Sequence, residues 1–242
     1  GGKDLYGYVE KKVAADDLGT RLPSDSAGRT AATRSRIPRQ GAGMLGVGLL
    51  FDYGVADDTY RSLALSQGCG VLGVGVLFDE GGNDDYASEV LSQGAAGFGV
   101  GMLLDRAGND RYSGYNSMQG FGSTQGIGAI VDLAGNDRYF VNPGTDSKID
   151  PALKGDILYA SAQLPDTGNT SEAQGCGFGR RWDSNPEGYK TPDYQFMGGM
   201  GILRDAAGDD QYIASVFAQG CGFIGFGMLL EGGGNDTYEG LW

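Results

Sequence analysis

Histidine is absent from the 242 residues, and with it goes the commonest general base and imidazole metal ligand near neutral pH. A Ser-His-Asp triad, a Cys-His pair and a His-ligated zinc site are therefore excluded within the chain. Proline is scarce, at 7 residues, and glycine does not recur strictly every third position, which excludes collagen. The longest apolar stretches, such as Met44–Phe51, are short and broken by glycine, so no segment is fit to span a bilayer. Positive charge is in the minority, with 18 Lys and Arg against 31 Asp and Glu. The resulting net charge of −13 disfavours nucleic acid as a partner.

What is present in excess is glycine, 46 residues, and it falls in register with the apolar residues rather than at random, which argues against disorder. Aligning the chain on the acid that ends each glycine-rich run gives Asp52, Asp79, Asp105, Asp132, Asp205 and Glu231, spaced by 27, 26, 27, 73 and 26. Glycine stands four residues before each acid, as Gly48, Gly75, Gly101, Gly128, Gly201 and Gly227, and again six before it. Tyrosine stands seven after it in five copies and eight after it at Tyr60. A Gln-Gly pair precedes each run, at Gln40, Gln67, Gln93, Gln119, Gln174 and Gln219.

Residues such as Val74, Val76 and Phe78 alternate with glycine or Leu at period two, the mark of a β-strand. No crossover helix has room in the unit. The chain is therefore expected to be all-β, a parallel β-helix or β-solenoid of about six coils of about 26 residues, each burying its apolar side by stacking. One extended strand per unit is predicted, with coils ~4.8 Å apart. The domain is expected to run 1–242, with insertions at about 7–39, 140–173 and 179–197. The start at Gly1-Gly2-Lys3-Asp4-Leu5-Tyr6, in mid-repeat, points to a piece of a longer protein.

The aligned acids, together with Asp4, Asp58, Asp84, Asp110, Asp137, Asp210 and Asp236, number 13, equal to the whole net charge. Stacked carboxylates ~4.8 Å apart repel by roughly 3–4 kcal/mol at an effective dielectric of ~20. Along a ladder this rivals the ~5–15 kcal/mol stability of a domain, so something must offset it. Calcium suits, because it takes oxygen ligands in irregular geometry. The candidate ligands are the aligned acids, the aspartates Asp58, Asp84, Asp110, Asp137, Asp210 and Asp236, and the turn residues Asn83, Asn109, Asn136, Asp209 and Asn235. The other reading leaves the Asp and Asn side chains bonded to their own turn backbones with loose counterions.

Gly81-Gly82-Asn83-Asp84-Asp85-Tyr86 and Gly233-Gly234-Asn235-Asp236-Thr237-Tyr238 resemble the turn of RTX-type calcium-binding β-rolls. That resemblance, about eight residues per coil, implies calcium held between coils of a secreted protein. The family's nine-residue period differs from the ~26 found here, so its coil shape and full ligand set do not carry over.

Three Gly-x-Gly-x-x-Gly matches, at Gly41–Gly46, Gly68–Gly73 and Gly220–Gly225, sit inside repeated strands rather than at a single strand–helix turn, which excludes a dinucleotide site. The tyrosine row is expected to stack in the core, sugar stacking being the alternative. Cys69, Cys176 and Cys221 share one repeat slot, and the last two fall in adjacent coils within reach of a disulfide. Basic residues of the first insertion, Arg29, Arg34 and Arg36 among them, are expected to strap over the acids. Both strand faces are apolar: Val74, Val76 and Phe78 on one, Gly73, Gly75 and Leu77 on the other. Either both are packed or one is left open for a partner, and the coil ends are open edges too.

The leading expectation is a non-catalytic, calcium-stabilised scaffold, secreted, cell-surface or periplasmic, that joins other subunits through its coil ends or an apolar face. The rival is a carbohydrate-active enzyme acting on polysaccharide. Its site would lie in the third insertion, with Arg180, Arg181, Asp183, Lys190 and Asp193 as candidate catalytic residues beside Trp182 and Tyr194.

Overall fold

The computed structural model describes residues 2–7, 38–146, 148–179 and 198–240. The chain is an all-β solenoid of three parallel sheets, with seven, six and six strands. In each sheet equivalent strands of successive coils lie side by side in exact repeat register, for example Val74–Asp79 against Val100–Asp105 with Gly75 opposite Gly101. The seventh strand of the largest sheet is Leu5–Tyr6, which adds a partial turn before the six full coils. Each full coil thus holds three strands where the sequence predicts one. In one coil these are Gly70–Val71, Val74–Asp79 and Asp85–Ala87. The two extra strands are two to four residues long in nearly every coil, too short to display a period.

Six strands, one in each full coil, lead into the aligned acids. They run Val47–Phe51, Val74–Asp79, Val100–Asp105, Ile127–Asp132, Met200–Asp205 and Phe226–Glu231. Their inward side is the glycine side: Gly75, Leu77 and Asp79 are buried. Leu77, Leu103, Ile130 and Leu203 form a fully buried row against the tyrosines. The outward side is the other apolar face, and Val74, Val100 and Ile127 stand open to solvent on it.

The coil turns where the sequence pays conformational strain. Gln67, Gln93, Gln119, Gln174 and Gln219 adopt φ of 50–55°, a left-handed conformation that is unfavourable for a residue with a Cβ. The side chain offsets this cost: Gln67 Nε2 donates to the carbonyls of Tyr60 (3.0 Å) and Ala87 (3.1 Å), tying its own coil to the next. At the acid-bearing corner only glycine fits. Gly208 has φ 152°, and a Cβ there would collide with the backbone carbonyl of Gly135 in the coil below. A Gly208→Ala variant is therefore expected to lose several kcal/mol or fail to fold, as read by circular dichroism and solubility.

The seven tyrosines from Tyr6 to Tyr238 stack face to face, with ring centroids 4.6–4.9 Å apart and planes within 10°. Aromatic pairs ordinarily prefer an offset or edge-on arrangement; here the interstrand spacing imposes the stack.

The insertion at 140–173 folds back beside the solenoid through the one-turn helix Pro151–Leu153 and antiparallel bridges at Gly144–Gly168 and Ala160–Asn169. Tyr159 donates to Glu89 Oε1 at 2.8 Å. The first and third insertions fall mainly at 8–37 and 180–197, outside the described residues, so the expected basic strap and Arg180, Arg181, Asp183, Lys190 and Asp193 lie outside them as well. The three cysteines are free thiols, so the Cys176–Cys221 bridge is not formed. Among the described residues no helix is long and apolar enough to cross a membrane.

Candidate metal centre

The site is built at the corner that joins the acid-ended strand to the tyrosine strand. Two rows of carboxylates run through its interior along the solenoid. Asp52, Asp79, Asp105, Asp132 and Asp205 form the first row, Asp58, Asp84, Asp110, Asp137 and Asp210 the second, and all ten are buried. Glu231 and Asp236 continue the rows into the less enclosed last coil.

Both oxygens of a first-row acid are used. Asp79 Oδ1 accepts from its own turn amide at Gly81 (3.0 Å), and Oδ2 accepts from the hydroxyl of Tyr60 in the preceding coil (2.5 Å). The same cross-coil bond joins Tyr86 to Asp105, Tyr112 to Asp132, Tyr139 to Asp205 and Tyr212 to Glu231. The tyrosines are thus more than the apolar core predicted from sequence. They are the donors that hold the first-row carboxylates, and the constant spacing from acid to tyrosine was the signal of it.

A second-row acid uses only one oxygen. Asp84 Oδ1 accepts from the backbone amide of Asp58 (2.5 Å), Asp110 Oδ1 from Asp84 (2.6 Å), and Asp137 Oδ1 from Asp110 (2.7 Å). The Oδ2 atoms of Asp58, Asp84, Asp110, Asp137 and Asp210 are buried without a hydrogen-bond partner. A buried acceptor left unpaired costs ~1–3 kcal/mol, more when charged, and here the cost repeats in coil after coil.

These acids converge in five groups of three: Asp4-Asp52-Asp58, Asp79-Asp84-Asp105, Asp105-Asp110-Asp132, Asp137-Asp205-Asp210 and Asp210-Glu231-Asp236. Within each, one oxygen per residue lies within 4.8 Å of the others, a separation that a cation with 2.3–2.6 Å bonds to oxygen spans. The donor set is all oxygen, which suits a hard cation and not a thiolate- or imidazole-seeking metal.

Burial, and then mutual repulsion, pushes these carboxyls far above the usual carboxylate range. Asp205 rises to about 6, Asp84 and Asp210 to about 7, Asp105 and Asp137 to about 8, Asp132 to about 9 and Asp110 to about 10. Asp52 in the first coil goes the other way: burial raises it, but bonds from Tyr6 and the Gly54 amide outweigh that and hold it low.

Asn83, Asn109, Asn136, Asp209 and Asn235 form a separate, exposed row. Asn83 Oδ1 accepts the Asn109 amide (2.9 Å), Asn109 Oδ1 that of Asn136 (2.8 Å), and Asn136 Oδ1 that of Asp209 (2.8 Å). This row stitches the backbone of each coil to the next rather than bonding its own turn, and stands apart from the buried carboxylate groups. The glycines of the Gly-x-Gly-x-x-Gly matches lie in and beside the strands, as Gly68, Gly70 and Gly73 do. A cleft of about 450 Å³ beside the second insertion is lined by Arg61, Ser88, Glu89, Tyr115 and Phe140. Glu89 is the one carboxylate in that lining, short of the pair that glycoside hydrolysis uses. Comparison with protein families, with curated proteins and with solved structures finds no match to this chain.

Proposed function

We propose that the chain is a calcium-stabilised β-solenoid scaffold that works outside the cell or in the periplasm, where the ion is plentiful. The observation that carries this reading is the row of buried, unpartnered Oδ2 atoms, each on an aspartate that belongs to a group of three converging acids. Such oxygens need a cation or a proton. Calcium answers the charge as well as the lone pairs, and tolerates a ligand set fixed by the repeat rather than by an ideal polyhedron. Magnesium is the poorer occupant, since it holds its waters and demands near-octahedral geometry. The likeness of the turns to RTX-type β-rolls supports the same ion. A scaffold role agrees with acids that serve as ladder rungs, each repeated by the coil next to it.

Thermal unfolding in EGTA and in millimolar calcium tests the proposal. Calcium at a hundredfold excess over Kd adds ~2.7 kcal/mol per site, and ~1 kcal/mol shifts Tm by about 2–4 °C at this chain length. Several filled groups are thus expected to raise Tm by more than ~10 °C. Asp110→Asn is expected to remove a good part of that gain, and Asp209→Asn, in the exposed row, to leave it intact. Equal midpoints in EGTA and calcium would sink the metal reading and leave the proton as occupant.

A further inference from the structure

We propose that the outward face of the six-stranded sheet containing Val74–Asp79 is a homodimer interface, closed by a two-fold axis that runs along the strands between the third and fourth coils. The face is apolar along its length except at Arg204. Val47 is 71% exposed, Leu49 56% and Phe51 50% at one end, with Phe226 at 49% and Leu230 at 45% at the other. Six strands at ~4.8 Å and six residues at ~3.3 Å make a face of roughly 550 Å² in plane. That is at the upper end of the 300–600 Å² patch a monomer leaves open. Two copies laid together bury more than ~1,000 Å², the size at which a specific interface begins.

A second copy fits this face better than a charged partner does. Arg204 is the one charge on its outward rows, so an acidic glycan or peptide finds little to recognise. The acid rows that carry the chain's excess charge point to the other side of the sheet and are buried, so they do not oppose the approach of a like molecule. Sheets pack face to face ~10 Å apart with strands nearly aligned, and an isologous contact needs only a self-complementary surface.

The position of Arg204 selects the axis. The third outward row reads, coil by coil, Phe51, Phe78, Leu104, Val131, Arg204 and Leu230. A two-fold along the strands reverses the order of the coils. Phe51 then meets Leu230, Leu104 meets Val131, and Arg204 lies over the ring of Phe78 in the other copy, a cation–π contact. A two-fold along the solenoid instead sets Arg204 against Met200.

The test is sedimentation velocity of the full chain in calcium from about 1 to 100 μM. A dimer is expected, with association weakened at least 100-fold by Val100→Asp combined with Ile127→Asp, both exposed and beside the axis, while circular dichroism stays unchanged. A second variant, Phe78→Cys with Arg204→Cys, fixes the geometry. Across the proposed interface the two positions face each other at the ~10 Å sheet spacing, whereas within one chain they are three coils apart, ~14 Å; both separations are beyond a disulfide. A short bis-maleimide that spans the facing thiols is therefore expected to give a covalent dimer beyond the level seen for the wild-type thiols. A wild-type monomer throughout the range, or a dimer indifferent to the paired aspartates, overturns the interface; a dimer that the cysteine pair does not cross-link overturns the axis. Neither result touches the calcium reading, which is read from Tm.

Discussion

In EGTA the thermal midpoint is expected to fall steeply as pH rises from about 4 to about 10, and saturating calcium is expected to abolish or reverse the fall. The sign follows from the buried acids. Their folded pKa values are raised, from about 6 at Asp205 to about 10 at Asp110. An unfolded aspartate loses its proton near 3.9, so between the two values the native state holds more protons than the unfolded chain. Stability then declines as pH rises. It is fully present below the unfolded pKa and lost as pH climbs through each folded one. For Asp84, which rises to about 7, the loss is on the order of 4 kcal/mol at ~1.4 kcal/mol per pH unit. Seven such groups exceed the ~5–15 kcal/mol that holds a domain together, so the metal-free solenoid is expected to be unfolded at pH 9. Calcium binds the deprotonated form, and its stabilisation therefore grows over the same window. Melting curves at four or five pH values, with and without calcium, decide it. A metal-free midpoint that stays level across this range would show that the rows are hydrated and not buried.

The second large effect is expected at the tyrosine stack. Tyr112 is fully buried, stacks on Tyr86 and Tyr139 at 4.9 Å, and donates to Asp132 Oδ2 at 2.7 Å. Tyr112→Ala removes a ring from a column that has no other way to close, at a cost of about 3–5 kcal/mol. Because each coil is held only by its neighbours, that cost falls on the contacts of three coils at once. Tyr112→Phe keeps the ring but strips the Asp132 carboxylate of its donor, for about 1–3 kcal/mol. The hydroxyl favours the charged form of Asp132, so the Phe variant is expected to lose more at high pH than at low. Chemical denaturation of the two variants separates packing from hydrogen bonding. A Phe variant as stable as the wild type at both ends of the pH range would mean that the hydroxyl row is passive.

The repeat, its period and the alignment of acids, glycines and tyrosines are all legible in the chain. Identical units must pair with themselves, and a side chain at a given slot must then lie over its equivalent in the next coil. That logic places Asp79 beside Asp105 and Tyr86 beside Tyr112 from spacing alone. It did not reveal that the coil has three sides, because strands such as Gly70–Val71 are too short for a period to register. Nor did it choose between the two apolar faces. Val76 and Leu77 look alike as residues, and only closure of the coil decides that Leu77 is enclosed and Val76 half open. The division of labour among the polar rows was likewise a tertiary decision. Asn83 and Asp84 are neighbours in sequence, yet the turn sends one to solvent and the other into the core. Composition and spacing determined which residues would stack. The bend of the backbone at each corner determined which stacks were kept from water, and burial is what makes a row of aspartates a site for a cation.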